Sequence, residues 1–371
     1  MDVVESIASK LISLDSQSHV SNALVADFVA EILDPVANRI EQIKYTDSGG
    51  KRKISLVAQL GNGKGGLALS AHMDTVPGLA WNSNPFETRI EDGRLYGLGA
   101  CDMKGALACT LVVAGAYSTL NARKPLTLIY TTDEETDTEG ARRIVKESEV
   151  LNSVGPKYCI VAEPTDLQVV NAHKAAITFS ATSKGRAAHS SSGKGVNANI
   201  RMIPFINDMG QLYKELVEDE AYWDPEFEPP FPDWNIVIDN YGTAANVTVP
   251  TSTCRVNFRY TRMLDPDQVM KRVKDSANAN GLTLDYWSSG DPFYTPPDSA
   301  LVQLALEIVN QQAPRSAPFR TDACILNTVV PCIVLGPGSV QQAHTVNEWV
   351  SVEQLHQGVD LYLKFVQAVC Q

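Results

Sequence analysis

Two histidines and a set of carboxylates stand where this chain leaves its apolar segments, and their types suit metal-assisted hydrolysis. In "SAHMDTVP", residues 70–77, His72 and Asp74 directly follow the apolar run Gly66-Leu67-Ala68-Leu69. Strand side chains alternate at a period of two, so the pair points the same way. An aspartate there can accept the second ring N–H of His72, fixing its tautomer and strengthening it as a metal ligand. Asp102 sits in the Gly-rich turn "GLGACDMKGA" just before a helix, where a carboxylate can be a ligand or simply a cap. "YTTDEETDTEG" sets Asp133, Glu134 and Glu135 after the apolar run Leu126 to Tyr130. Adjacent carboxylates repel and shift one another's titration, so this cluster wants a cation or else marks a solvated loop. Glu163 in "VAEPT" and His344 in "LGPGSVQQAHTVNE" follow two further apolar runs. Each alone has an ordinary structural reading. Together, two imidazoles and three carboxylates suit a pair of borderline metal ions such as Zn²⁺, with one carboxylate bridging them.

Such a set meets only if the fold gathers it. Apolar positions Val4, Ile7, Ala8, Leu11 and Ile12 recur at helical spacing, and a second helix is expected near Asn22 to Leu33. Strands are expected at Ile54 to Leu60, Gly66 to Ala71, Leu126 to Thr131 and Tyr158 to Ala162, with a helix over Lys104 to Leu120. Helix-separated apolar strands favour an α/β fold, a parallel-rich sheet flanked by helices that binds ligands at the carboxyl ends of its strands. From about Ala175 the texture changes to strand (Ile177 to Ser183), long helix (Val196 to Leu216) and strand (Cys254 to Thr261), a plausible insert of α+β type. After Pro297 a helix (Leu301 to Gln312) and a strand (Cys332 to Leu335) restore the first texture, so the outer domain is expected to be discontinuous.

At 371 residues the chain exceeds one comfortable core, which agrees with two domains. A net charge of −12, from 43 acidic and 31 basic residues, argues against nucleic acid, and Lys51-Arg52-Lys53 reads as a solvated turn. No stretch reaches the roughly 18 uninterrupted apolar residues of a membrane span, and the N-terminus lacks the basic start of a secretory signal. A cytoplasmic protein with no membrane partner is expected. The seven cysteines are odd in number and contain no C-x-x-C pair, so most should be reduced and buried.

At this point the chain resembles the M20 metallopeptidases and deacylases over nearly its whole length. The motifs that carry the resemblance run in order as "SAHMDTVP", "WNSNPFE", "GRLYGLGACDMKGA", "TTDEET", "VAEPT", "GRAAHSSSGKGVNA" and "LGPGSVQQAHTVNEWV". The resemblance implies that His72 and Glu163 bind one metal, Glu135 and His344 the other, and Asp102 bridges both. It makes Glu134 the general base and Asp74 the residue orienting His72. It also implies a catalytic domain of residues 1–174 and 290–371, with a lid and dimerisation domain inserted at 175–289. His189 in "GRAAHSSSG" then matches a histidine that stabilises the tetrahedral oxyanion, commonly in the neighbouring subunit of a homodimer. Asn246 in "GTAANVTVP" and Arg259 in "CRVNFRYTR" resemble lid residues that grip the substrate carboxylate. The cofactors implied are two divalent ions, zinc foremost, with cobalt able to substitute.

"VAEPTDLQVVNAHK", "TDACIL" and especially "LGPGSVQQAHTVNEWV" look most like the members that deacetylate acetylornithine, in arginine synthesis, and their acetylcitrulline-cleaving relatives, while "NVTVP" and "VNFRY" could sit as well in a desuccinylase. An N-acyl amino acid is thus the expected small-molecule partner, with N-acetylornithine foremost. Acetylcitrulline deacetylation, succinyl-diaminopimelate desuccinylation and dipeptide cleavage are the alternatives on the same site, and a non-catalytic binding member is the alternative of another class. "GPGS", residues 336–339, could offer backbone N–H groups to a carboxylate or be only a tight turn. His19 and His356 are assigned no chemistry, His173 in "NAHKAAI" falls at the expected domain hinge with Lys174 beside it, and Cys101 is left as a small buried residue.

Overall fold

Four apolar segments, Leu67–His72, Leu126–Thr131, Tyr158–Val161 and Cys332–Val334, form strands that are buried along their whole length. They lie parallel to one another at the middle of the large sheet. In this computed structural model, which describes residues 2–79 and 81–371, the sheet runs Arg39–Thr46, Arg52–Leu60, Leu126–Thr131, Leu67–His72, Tyr158–Val161, Cys332–Val334. The first two strands join antiparallel. A strand with both faces buried need not alternate apolar with polar, and these four set apolar side chains at successive positions, as in Leu67-Ala68-Leu69 and Ile160-Val161. Gly66 permits the close entry into Leu67–His72: its φ is +77°, and a Cβ there would fall 1.9 Å from the Pro125 carbonyl oxygen.

Register then aligns the strand ends. His72 lies opposite Thr131, Ser70 opposite Val161, and Val161 opposite Val334, so the four chains leave the sheet at one edge. Helices Val3–Ile12, Ala23–Leu33, Gly105–Ala116, Ala300–Val309 and Val352–Cys370 contribute to the core that covers this sheet. The segment Ala100–Thr119 has the length and composition to cross a membrane, yet 78% of it is buried inside the fold as a core helix. None of the seven cysteines is in a disulfide, and all are buried.

The larger unit ends first at Ala172 and resumes as Tyr294–Arg315 and Thr321–Gln371; the smaller comprises His173–Phe293 with Ser316–Arg320. The smaller unit is a four-stranded antiparallel sheet, ordered Asp233–Asp239, Thr251–Tyr260, Ala175–Lys184, Thr283–Ser288. Helices Asn199–Glu218 and Pro266–Ala279 add their apolar residues to its separate core. It therefore holds two strands and a helix more than the strand-helix-strand reading. Asp233–Asp239 escaped that reading because only Trp234 along it is buried, as suits an edge strand. The α/β class with a parallel-rich sheet and an α+β insert is as expected.

Candidate metal centre

The aligned strand ends place the chemistry. His72 closes Leu67–His72, Glu134 and Glu135 follow Leu126–Thr131, Glu163 follows Tyr158–Val161, and His344 lies in the loop beyond Cys332–Val334. His72 Nε2 stands 3.0 Å from Asp102 Oδ1 and 3.9 Å from Glu163 Oε2. His344 Nε2 stands 3.3 Å from Asp102 Oδ2 and 3.0 Å from Glu135 Oε2. Two groups result, His72/Asp102/Glu163 and Asp102/Glu135/His344, each with its donor atoms within 4.8 Å of one another. Asp102 is common to both.

These residues fit a pair of divalent ions. Neighbouring ligands of a tetrahedral Zn²⁺, bound at about 2.0–2.2 Å, sit roughly 3.3 Å apart, which is the spacing found here. The electrostatics agree. Burial, and then the charge of Asp102, push the Glu135 carboxyl up to about 8. Burial also raises Glu163 well above the usual carboxylate range, although the His72 charge opposes it. Burial works against ionised Asp102, but its hydrogen bonds to His344 and His72 outweigh that and hold it low. His344 is raised to about 11 by hydrogen bonds to Asp102 and then Glu135. Burial alone would lower His72, yet Glu163 and Asp102 hold it well above the ordinary imidazole value. Protons are thus standing in for positive charge among three crowded carboxylates, the role a cation fills.

Asp74 does more than face its histidine. Its carboxylate accepts the backbone N–H groups of Glu134 and Glu135, both at 3.2 Å, and the Ser18 hydroxyl at 3.1 Å. His72 Nδ1 lies nearer the Asp74 backbone carbonyl, at 3.0 Å, than the carboxylate, at 3.6 Å. With its side chain committed to the acidic loop, Asp74 ties that loop to the strand end bearing His72. Glu134 is buried and belongs to neither donor group among the described residues, while its charge acts on both Glu135 and Glu163.

Three supporting residues, Lys53, Tyr45 and Glu348, were not legible as functional in the sequence. Lys53, expected in a solvated turn, is fully buried and pairs with Asp133 at 2.7 Å, because the strand Arg52–Leu60 is covered on both faces from Lys53 onward. Tyr45 donates to the same Asp133 carboxylate at 2.7 Å, so the residue before Glu134 is held from two sides. Glu348 is buried and accepts the N–H groups of Gly99, Cys101 and Asp102, each at 2.8 Å. Burial pushes its carboxyl up to about 7 against the pull of those donors. Its only signal in the sequence is its place four residues after His344.

Other candidates are spoken for. The N–H groups of Gly336 and Gly338 donate to Thr165 Oγ1 and Gln354 Oε1, so "GPGS" serves as a turn. Cys101 Sγ donates to the Ser339 carbonyl, and His356 pairs with Glu5 at 3.0 Å. His173 is buried against Phe293. Asp224, in the acid-rich and Pro-rich chain between Leu216 and Cys254, is buried under a two-pronged contact from Arg262. Within the smaller unit, His189 is exposed and its Nδ1 accepts from the Ser191 backbone N–H and lies 2.8 Å from Ser191 Oγ. Asn246 is beside it, its carbonyl accepting the Ser190 N–H at 2.9 Å. Arg259 lies toward the far end of Thr251–Tyr260, donating to the Pro318 carbonyl, and burial lowers its pKa.

Comparison with known proteins agrees with this architecture. An acetylornithine deacetylase of Pasteurella multocida is 30% identical over 370 residues, covering 96% of this chain and 94% of the relative. The M20 family metallo-carboxypeptidase Sso-CP2 of Sulfolobus solfataricus superposes with a TM-score of 0.78 at 17% identity, over 99% of each chain. Bacillus subtilis YXEP, described as a dinuclear metal binding peptidase, superposes with a TM-score of 0.63 at 16% identity, over 99% of this chain and 97% of that one. The profile of Peptidase family M20/M25/M40 matches residues 68–368, and the chain belongs to this family of hydrolases that cleave amide bonds.

Proposed function

We propose that the protein is a two-metal amidohydrolase that removes the acetyl group from N-acetylornithine, yielding ornithine and acetate in arginine synthesis. The observation that carries the reaction class is the sharing of Asp102 between two three-residue donor groups, with Glu134 beside both. His72 and Glu163 would hold one ion, Glu135 and His344 the other, and Asp102 both. The imidazole and carboxylate donors favour Zn²⁺, and Co²⁺ can replace it. When bound, two such ions would lower the pKa of an attacking water and polarise the scissile carbonyl.

The chain's own groups do the rest. Glu134 takes the proton from the attacking water and later delivers it to the departing amine. Asp74 keeps Glu134 in reach through the N–H bonds at 3.2 Å and sets the orientation of His72. His189, exposed and already ordered by Ser191, is assigned the developing oxyanion, in a homodimer that of the neighbouring subunit. Asn246 and Arg259 are assigned the substrate carboxylate; a guanidinium can bind it with two parallel hydrogen bonds.

The substrate rests on the motif "LGPGSVQQAHTVNEWV" and on curated relatives that are named acetylornithine deacetylases. The test is amine release from N-acetylornithine, N-acetylcitrulline, N-succinyl-diaminopimelate and a dipeptide, by protein stripped of metal and resupplied with Zn²⁺ or Co²⁺. Metal-restored turnover of N-acetylornithine above the other three is the expected result. Preference for another member of the panel would replace the substrate, and silence across it with two ions bound would remove the catalytic reading.

A further inference from the structure

Glu348 lies on the same loop as His344, and its contacts run to the turn that carries Asp102. From Trp349 to Ser351 the chain pairs antiparallel with Arg94–Tyr96, with Trp349 opposite Tyr96. At Glu348 that pairing continues through the backbone, whose carbonyl accepts the Gly97 N–H at 3.1 Å. The side chain then takes over. Oε2 accepts Gly99 N–H, and Oε1 accepts both Cys101 N–H and Asp102 N–H, all at 2.8 Å. Glu348 is only 1% exposed, and Gly99 and Cys101 are buried with it, so these two amides have no water to turn to if it is lost. One carboxylate thereby fastens the backbone of Asp102 to a chain segment that leads, four residues earlier, to His344.

We propose that Glu348 is a positioning residue that sets the Asp102 carboxylate against His344, and so governs the affinity of the ion held by Asp102, Glu135 and His344. This rests on the two-metal reading above. Of the two donor groups, only that one has two of its three members on the segments Glu348 joins; His72 and Glu163 come from other strand ends. Losing Glu348 should therefore weaken the two ions unequally. A residue that served stability alone would lower the melting temperature and leave the binding constants of the folded protein where they were.

The isosteric Glu348→Gln variant separates these outcomes. A glutamine offers a single acceptor oxygen and sets an N–H₂ group against a backbone donor, while keeping the volume of the buried site. Metal-free wild type, Glu348→Gln and His344→Ala are titrated with Zn²⁺ against a competing chelator, and the metal-free melting temperature is read for each. The expected result is a loss of about 10–100-fold in one of two constants for Glu348→Gln, the same constant that His344→Ala removes, with the other changed less than about threefold. Excess Zn²⁺ should then restore kcat with KM unaltered. Constants that superimpose on wild type overturn the proposal, as does an equal loss at both sites. Glu348→Asp, which keeps the charge but draws it back by one methylene, serves if the glutamine variant does not fold, and the same unequal loss is expected of it. Wild type that binds fewer than two ions would instead remove the two-metal reading itself.

Discussion

A carboxylate beside a cation can serve as ligand or base, and in the pair Glu134 and Glu135 position decides. Glu135 reaches His344, whereas Glu134 stands outside both donor groups. Glu134→Gln is expected to cut kcat by about 10²–10⁴-fold, the usual worth of a general base, with two ions still bound per chain by elemental analysis. Loss of an ion would make Glu134 a ligand and reverse the assignment of the pair. Protons and metal compete at the same atoms. In the metal-free protein Glu135 is held up at about 8 and His344 at about 11, so both carry protons at neutral pH and must release them to bind an ion. Metal affinity should therefore climb as pH rises from 6 toward 8, by about tenfold per unit for each proton released, and the part due to Glu135 should flatten above 8. Chelator competition across that range checks it, and a flat profile would contradict it. Four of the ligand candidates drew attention by following apolar runs and Asp102 by its Gly-rich turn before a helix, and the structure brings all five together. Glu348 and Lys53 were not legible: an acid in a polar loop and a lysine in a basic triplet look like surface until the backbone they satisfy is seen.

At the level of elements, legibility tracked burial. The four central strands announce themselves because both faces are covered, and Leu126–Thr131 begins and ends where its apolar run does. Arg39–Thr46 did not, since only Ile43 and Tyr45 along it are buried, too few to mark a strand. The strand most exposed to test is Leu67–His72, which carries His72 at its end. Leu69→Ala, at a fully buried position, is expected to cost about 2–5 kcal/mol. Gly66→Ala should cost more than about 1 kcal/mol, because φ is positive and Pro125 blocks the methyl group. Gly50→Ala is the comparison, with the same φ of +77° and nothing within 4 Å of a Cβ. Urea midpoints of the three variants would show whether Gly66 exceeds Gly50, and equal losses would mean the backbone there gives way.

For the molecule as a whole, the two units have separate apolar cores, and every residue of the two shared donor groups belongs to the larger. Ligand binding to the native state raises stability by about 2.7 kcal/mol at a hundred times Kd. Calorimetry with and without chelator is therefore expected to show two transitions, only one of which moves when metal is removed. A single transition that shifts as one would mean the units unfold together. The insertion itself was legible as a change of texture near residue 175. The return of Ser316–Arg320 to the smaller unit was not, because a short segment has no periodicity of its own.

That interrupted layout has a consequence for how the protein is made. Tyr158–Val161 must wait for its parallel neighbour Cys332–Val334, with 170 residues between them. A ribosome adding about 5–20 residues per second needs roughly ten to thirty seconds to deliver it. During that interval the nascent sheet presents an open, wholly apolar strand edge, while the inserted unit has nearly all it needs to fold. Ribosome-bound chains stalled at residue 330 should therefore recruit chaperones through the first segment and resist protease across the second, and no nascent chain can complete the proposed metal site before His344 emerges.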